Sequence, residues 1–303
     1  MASHGRIPPP LPLPHANVRK FKIALCQLMV TSDKERNINH ARVRIEDAAA
    51  KGAKLVVLPE IWNCPLSLEN LSKYAEDIDA EEAPSISMLS EVAAQQNITI
   101  IGGSIPEKTN GRLFNTCCVL GPDGKIKAKH RKLHLFDVDI IGDITFRESD
   151  ILKAGGEPTV VDTDVGRIGI GICHDIRFPE LAMLYRLRDV DLICYPGAFN
   201  LSTGQLLWEM MQRSRAADNQ VISSSLPTDS LNSSSFWFMY ASFLYMHYIE
   251  FSCLLQPAHL RESLIPCRTT LSGVILLLSG HLVTLLQQQG IKWQLSLARL
   301  TIP

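Results

Sequence analysis

The 303-residue chain lacks an excess of charge of either sign: 30 lysines and arginines stand against 31 aspartates and glutamates, well mixed, for a formal charge of -1. That balance supplies neither the basic face that nucleic acid requires nor the polybasic patch that draws a protein onto an anionic membrane. Any Cys-x-x-Cys pairing is also missing. Eight cysteines are scattered at 26, 64, 117, 118, 173, 194, 253 and 267; they outline no zinc framework, and adjacent Cys117 and Cys118 fit a strand better than a metal site. We therefore expect no metal and no cofactor. A third lack is a secretory signal with a charged start and an apolar centre, which predicts reduced thiols and a cytoplasmic protein. Residues 1–20, rich in proline and free of acids, read as a disordered leader, with an organelle transit peptide as the alternative. Finally, no stretch reaches the roughly 20 uninterrupted apolar residues of a membrane helix. The aromatic run Phe236–Ile249 contains His247 and meets Glu250, and the apolar stretch from Val274 to Leu286 is broken by Ser279, Gly280 and His281. A membrane partner is not expected.

What the chain has is a rhythm. Phe21–Leu28 reads as a strand, and Ile38, Ala41, Ile45 and Ala48 recur at helical spacing before Gly52. Leu55–Leu58 predicts a short buried strand closed by Pro59 and Glu60; a helix over 82–96 and a strand over 98–101 follow. Asn115–Leu120 runs into Gly121-Pro-Asp-Gly124, a hairpin signal, and out along 125–128. Further on, the pattern predicts a helix over 179–188, a strand over 191–195 and a helix over about 205–217. Strands and helices in alternation, with an inserted hairpin, imply a layered α/β sandwich with a mixed sheet. From Val221 the rhythm stops. The expected organisation is a leader over 1–20, a domain over 21–220 and an apolar tail over 221–303.

The segment Arg167-Ile-Gly-Ile-Gly-Ile-Cys-His-Asp-Ile-Arg-Phe-Pro-Glu180 is the most informative in the chain. Its alternating isoleucines predict a core strand that ends on Cys173, with a helix starting near Pro179. A thiol at a strand end, facing a turn and a helix N-terminus, sits where its pKa can be lowered and substrate can reach it. The competing reading is one more buried small hydrophobe. Glu60, after Leu-Val-Val-Leu-Pro, and Lys132, within Lys129-His-Arg-Lys-Leu-His-Leu-Phe136, also follow strand-like runs. Open α/β sheets gather ligands beyond the carboxyl ends of their strands, where the three side chains would meet. Taken singly, Glu60 also reads as a solvated strand terminus and Lys132 as one cation of a basic turn.

Together, Leu58-Pro-Glu60, Lys132-Leu-His-Leu-Phe136 and Gly171-Ile-Cys173-His-Asp-Ile-Arg177-Phe-Pro-Glu180 resemble, in this order, the signatures of the carbon–nitrogen hydrolase (nitrilase) superfamily. Ile144-Thr-Phe-Arg-Glu148-Ser, Tyr195-Pro-Gly-Ala-Phe-Asn-Leu-Ser-Thr203-Gly and Gln212–Gln220 are similar to its omega-amidase branch. The resemblance implies an α-β-β-α sandwich and hydrolysis of amide carbon–nitrogen bonds. It implies Cys173 as nucleophile, Glu60 as the proton-transfer group and Lys132 as the cation at the oxyanion, helped by the backbone N–H of His174. A second glutamate, Glu148, is implied near Lys132, with a structural salt bridge as the alternative. The implied substrate is a small dicarboxylic acid monoamide such as 2-oxoglutaramate or 2-oxosuccinamate. Arg177 would bind its distant carboxylate and Thr203 would add a hydrogen bond; an ion pair with Asp175 or Glu180 is the other reading of Arg177. The side chains of His134 and His174 are read as packing or turn residues. The family also implies homo-oligomers. Its pattern continues past Asn219-Gln220 with a strand, a Trp-Gly-His-Ser segment and further strands; Val221-Ile-Ser-Ser-Ser-Leu-Pro227 is similar to the start of the first of these, and none of the rest occurs in 221–303. That departure puts the homo-dimer in question and leaves an inactive, association-only protein as one alternative function. Another amidase specificity of the superfamily is the other.

Overall fold

The computed structural model describes residues 18–80, 82–140, 144–199, 201–219 and 221–224, with three further backbone segments at 247–254, 266–271 and 274–279. Strand alternation builds its layers. In β1 (Val18–Leu25), β2 (Ala53–Val57), β3 (Thr99–Ile101) and β5 (Arg112–Leu120), successive side chains point to opposite faces. Ala24, Val56, Ile100, Cys118 and Leu120 go to one core with the helices α1 (Lys34–Ala50) and α3 (Pro84–Gln96). Ile23, Leu25, Leu55, Val57, Ile101, Cys117 and Val119 go to a second core, where they meet Ile168, Ile170 and Leu192.

Those partners belong to a second sheet formed by β9 (Thr159–Thr163), β10 (Gly166–Ile170), β11 (Leu192–Cys194) and β12 (Ile222–Ser224). Its outer face packs on α4 (Pro179–Leu187) and α5 (Leu201–Asn219) through Tyr185, Ile193, Tyr195 and Met211. Helix, sheet, sheet and helix thus stack in that order, as the motifs implied. Two glycines explain the fit of the outer face. A Cβ on Gly169 would stand 2.8 Å from the Tyr185 ring, and one on Gly171 would stand 2.4 Å from the Tyr195 ring. The Gly-Ile alternation in this strand therefore gives one face to the sheet–sheet core and clears the other for two tyrosines.

Within the first sheet β1, β2 and β3 run parallel, and β5 joins antiparallel beside β4 (Ile105–Thr109) and β6 (Ile126–Arg131). The Gly121–Gly124 turn forms as the sequence predicts, with Gly124 at φ 72°. Element ends differ from the sequence reading. The first strand is Val18–Leu25, because beyond Leu25 the chain departs from the ladder with β2 after one last bond, from Cys26 N–H to Val57 O. The helix expected over 205–217 extends from Leu201 to Asn219. A short helix, α2 (Leu68–Tyr74), and a hairpin of β7 (Asp137–Ile140) with β8 (Ile144–Arg147) had no periodic signal.

Most of the leader and the aromatic run from Phe236 lie outside the described residues. In the tail, the backbone of β13 (His247–Leu254) runs antiparallel to β1, and β14 (Pro266–Leu271) pairs with β15 (Val274–Ser279). Among the described residues no helix is long and apolar enough to cross a membrane.

Candidate active site

Each of the three sequence-predicted residues stands just past a strand of one of the facing sheets. Glu60 follows β2 in a turn held by Gly103 and Ser104: Ser104 N–H donates to Pro59 O at 3.0 Å, and Ile61 N–H donates to Ser104 Oγ at 3.1 Å. Ile61 is in the left-handed region, at φ 45°. Lys132 leaves β6 with its N–H on Asn115 O at 2.8 Å. Cys173 follows β10 at φ 45°, an unusual conformation for a residue with a Cβ, and its N–H donates to Pro196 O at 2.7 Å. Such strain persists only where surroundings over-determine it, and it turns the sulfur out of the strand line.

The side chains converge. Lys132 Nζ lies 2.8 Å from Glu60 Oε1 and 2.9 Å from Glu148 Oε2, and all three residues are nearly fully buried. Glu60 also accepts from Asn115 Nδ2 at 2.8 Å and from the Ala198 N–H at 3.1 Å, so its orientation is fixed from both sheets. Glu148 takes the Phe136 N–H at 2.7 Å. Cys173 shares one cleft with these groups; Phe136, Phe146, Phe199 and Leu66 supply apolar wall, and Arg177 supplies a cation.

The electrostatics differ from the sequence expectation in one respect. The Cys173 thiol was expected to have a lowered pKa; it is raised well above its ordinary value. Burial is the larger cause and the neighbouring Glu60 carboxylate the next, and together they outweigh Lys132 and the Ala198 N–H. The resting sulfur therefore keeps its proton, in the cleft it shares with the Glu60 carboxylate. Burial alone would lower Lys132, but the Glu148 and Glu60 carboxylates carry it well above its ordinary value, so it is a fixed cation. Glu148 is raised, first by burial, against the pull of Lys132.

His174 has its ring edge-on to Phe136 and Phe178, with centroids 5.2 and 5.6 Å away. Burial, then Lys132 and Arg177, lower its pKa from 6.5 to about 4. The folded state thus binds this proton less readily than the unfolded chain. The group contributes nothing above about pH 6.5 and costs stability as the pH falls from there towards 4. We predict that His174→Gln flattens this part of a plot of Tm against pH; an unchanged slope would contradict that account.

Arg177 makes no ion pair with Asp175 or Glu180 among the described residues; it is exposed and borders the cleft. Asp175 is instead buried against His130, His134 and the Ile172 N–H. The Thr203 side chain lies outside the described residues. Sequence reasoning missed Asn115, the Ala198 N–H and Asp175. For Asn115 and Ala198 no local signal exists, since they lie 55 and 138 residues from Glu60. For Asp175 the signal was a carboxylate two residues after Cys173, in the polar turn Cys173-His-Asp-Ile-Arg177.

A comparison with known families matches the carbon–nitrogen hydrolase model over residues 22–224. The chain is 64% identical over 219 residues to the chloroplastic omega-amidase of Arabidopsis thaliana, a match covering 72% of this chain and 59% of that protein. It is 51% identical over 201 residues to human omega-amidase NIT2, covering 66% of this chain and 72% of the relative. Among solved structures, Saccharomyces cerevisiae Nit3, described as a member of branch 10 of the nitrilase superfamily, superposes with a TM-score of 0.69. That match has 34% identity and covers 89% of this chain and 94% of Nit3. The chain spans about three-fifths of the length of the Arabidopsis relative.

Proposed function

The chain belongs to the carbon–nitrogen hydrolase family, and from that premise we propose that it hydrolyses the terminal amide of small dicarboxylic acid monoamides, releasing ammonia. The observation that carries the reading is the single ammonium of Lys132 bracketed by Glu60 and Glu148 in the cleft that Cys173 enters. Because the thiol is neutral at rest, attack requires a base at the moment of reaction, and Glu60 is the carboxylate that acts on it most strongly in the shared cleft. Sγ bonds to the amide carbon while its proton passes to Glu60. The carbonyl oxygen becomes an oxyanion beside Lys132 Nζ, with the His174 N–H as the main-chain donor next to the sulfur. Collapse breaks the carbon–nitrogen bond, and Glu60 returns the proton to the departing ammonia. Water then attacks the thioester, Glu60 takes its proton, and the sulfur leaves and regains one. Lys132, charged throughout, moves no proton.

Phe136, Phe146 and Phe199 make most of the wall apolar, so the distant carboxylate of a monoamide has Arg177 as its cation. A planar fork suits a carboxylate better than an ammonium does. Arg177→Lys is therefore expected to raise KM for 2-oxoglutaramate about tenfold, with a much smaller change for a neutral amide of similar length. Steady-state ammonia release on both substrates decides this, and an equal effect on the two would remove Arg177 from recognition. The same assay extended to nitriles and N-carbamoyl amino acids tests the substrate class itself: preference for either over 2-oxoglutaramate would replace this reading.

A further inference from the structure

We propose that Asp175 is a positioning residue that holds the turn bearing Cys173 and the loop bearing Lys132 in a single register; the inference rests on the hydrolase reading above. Its carboxylate is fully buried, yet it faces donors from both sides of the cleft. Oδ2 accepts from the N–H of Ile172, the residue directly before Cys173, at 2.8 Å. Oδ1 accepts from the N–H of His134, two residues past Lys132, at 2.8 Å, and lies 2.8 Å from the Nδ1 of the same ring. His130 Nε2 stands 3.3 Å from Oδ2, and its Nδ1 stands 3.0 Å from Thr159 Oγ1, which ties the end of β6 to the second sheet. The His134 ring stacks on Phe178 at 3.6 Å, so the donor on that side is itself held. Burial alone would raise the carboxyl; the bonds from His130 and His134 outweigh it and hold the group below the usual carboxylate range.

One anion therefore joins two segments about 40 residues apart, on which the sulfur and the ammonium are mounted. The mechanism needs those atoms on the same carbonyl, and a displacement of about 1 Å costs roughly a hundredfold in rate. The demanding feature is that both carboxylate oxygens take a main-chain N–H. An amide of the same shape has only one acceptor oxygen. In Asp175→Asn, whichever way the amide flips, its NH2 opposes either the Ile172 or the His134 N–H, and the backbone must shift beside Cys173 or beyond Lys132.

The test compares Asp175→Asn with the wild-type chain, normalising kcat to the number of molecules whose Cys173 is titrated by iodoacetamide. We expect kcat per titrated site to fall about thirtyfold or more, with KM for 2-oxoglutaramate changing less than threefold. A wild-type kcat per site, whatever the yield of folded protein, overturns the proposal, since a purely structural role lowers the count of sites and not their turnover. If neither protein releases ammonia, the substrate reading has failed, and the rate of Cys173 alkylation still decides. Positioning predicts at least about fivefold slower alkylation in the variant, and an equal rate overturns it. Should Asp175→Asn not fold, His134→Phe keeps the stack on Phe178 and removes only the Nδ1 contact. The same two readouts apply, with a fall of about fivefold expected and wild-type values overturning the proposal.

Discussion

Cys173→Ala and Cys173→Ser are expected to abolish ammonia release, lowering kcat by about a thousandfold or more, whereas Cys194→Ser keeps most of it. The contrast is informative because Cys194 ends β11 and Cys173 stands just past β10, and the two strands pair side by side. Cys194 is fully buried between the sheets and has no access to the cleft, so its loss is felt as packing. Burying a hydroxyl there costs about 1–3 kcal/mol, which lowers Tm and leaves turnover. At position 173 the difference between sulfur and oxygen is chemical. In the proposed mechanism Glu60 removes the nucleophile's proton at the moment of attack, and a hydroxyl is far less acidic than a thiol, raised though this one is. Steady-state assays on the three purified variants check the assignment. Activity retained in Cys173→Ser and lost in Cys194→Ser would move the nucleophile to the other strand.

Lys132→Met is expected to lower both stability and rate. Its side chain separates two carboxylates, Glu60 and Glu148, that are 1% and 2% exposed. Removing the cation leaves buried negative charge without compensation, a loss of about 3–5 kcal/mol, which for a chain of this size lowers Tm by roughly 10 °C. In the proposed mechanism the oxyanion also loses its charged partner, which is expected to cost about a hundredfold to a thousandfold in kcat. The two consequences separate in a double variant. Adding Glu148→Gln removes one stranded charge and should recover much of the lost Tm, while turnover stays at the level of Lys132→Met. Recovery of activity along with stability would mean that Lys132 serves the fold alone.

The parts of this site that could be read from sequence were those announced by a local pattern. Glu60 and Cys173 each end an apolar run, and Lys132 lies in a signature segment. The alternation of Ile168, Ile170 and Ile172 foretold the strand that leads to Cys173, and all three are buried. What could not be read depends on contacts between distant segments. Lys132 and Glu60 meet across 72 residues, and the hub at Asp175 exists only once β6 and the Cys173 turn face each other. The direction of the thiol pKa was missed for the same reason. From sequence, the helix start and nearby cations argue for a lowered value; in the fold, burial and the Glu60 carboxylate dominate. The hairpin of β7 and β8 was missed because strands of four residues each carry too little alternation to register.

The whole account depends on a covalent bond between Cys173 and the acyl part of an amide. The most direct measurement mixes the protein with 2-oxoglutaramate, quenches with acid within one turnover, and follows the mass of the intact chain and of its peptides. The account predicts an added mass equal to the acyl group, carried on the peptide containing Cys173 and absent in Cys173→Ala. Ammonia release with no adduct at Cys173, or with the adduct on another cysteine, would contradict it.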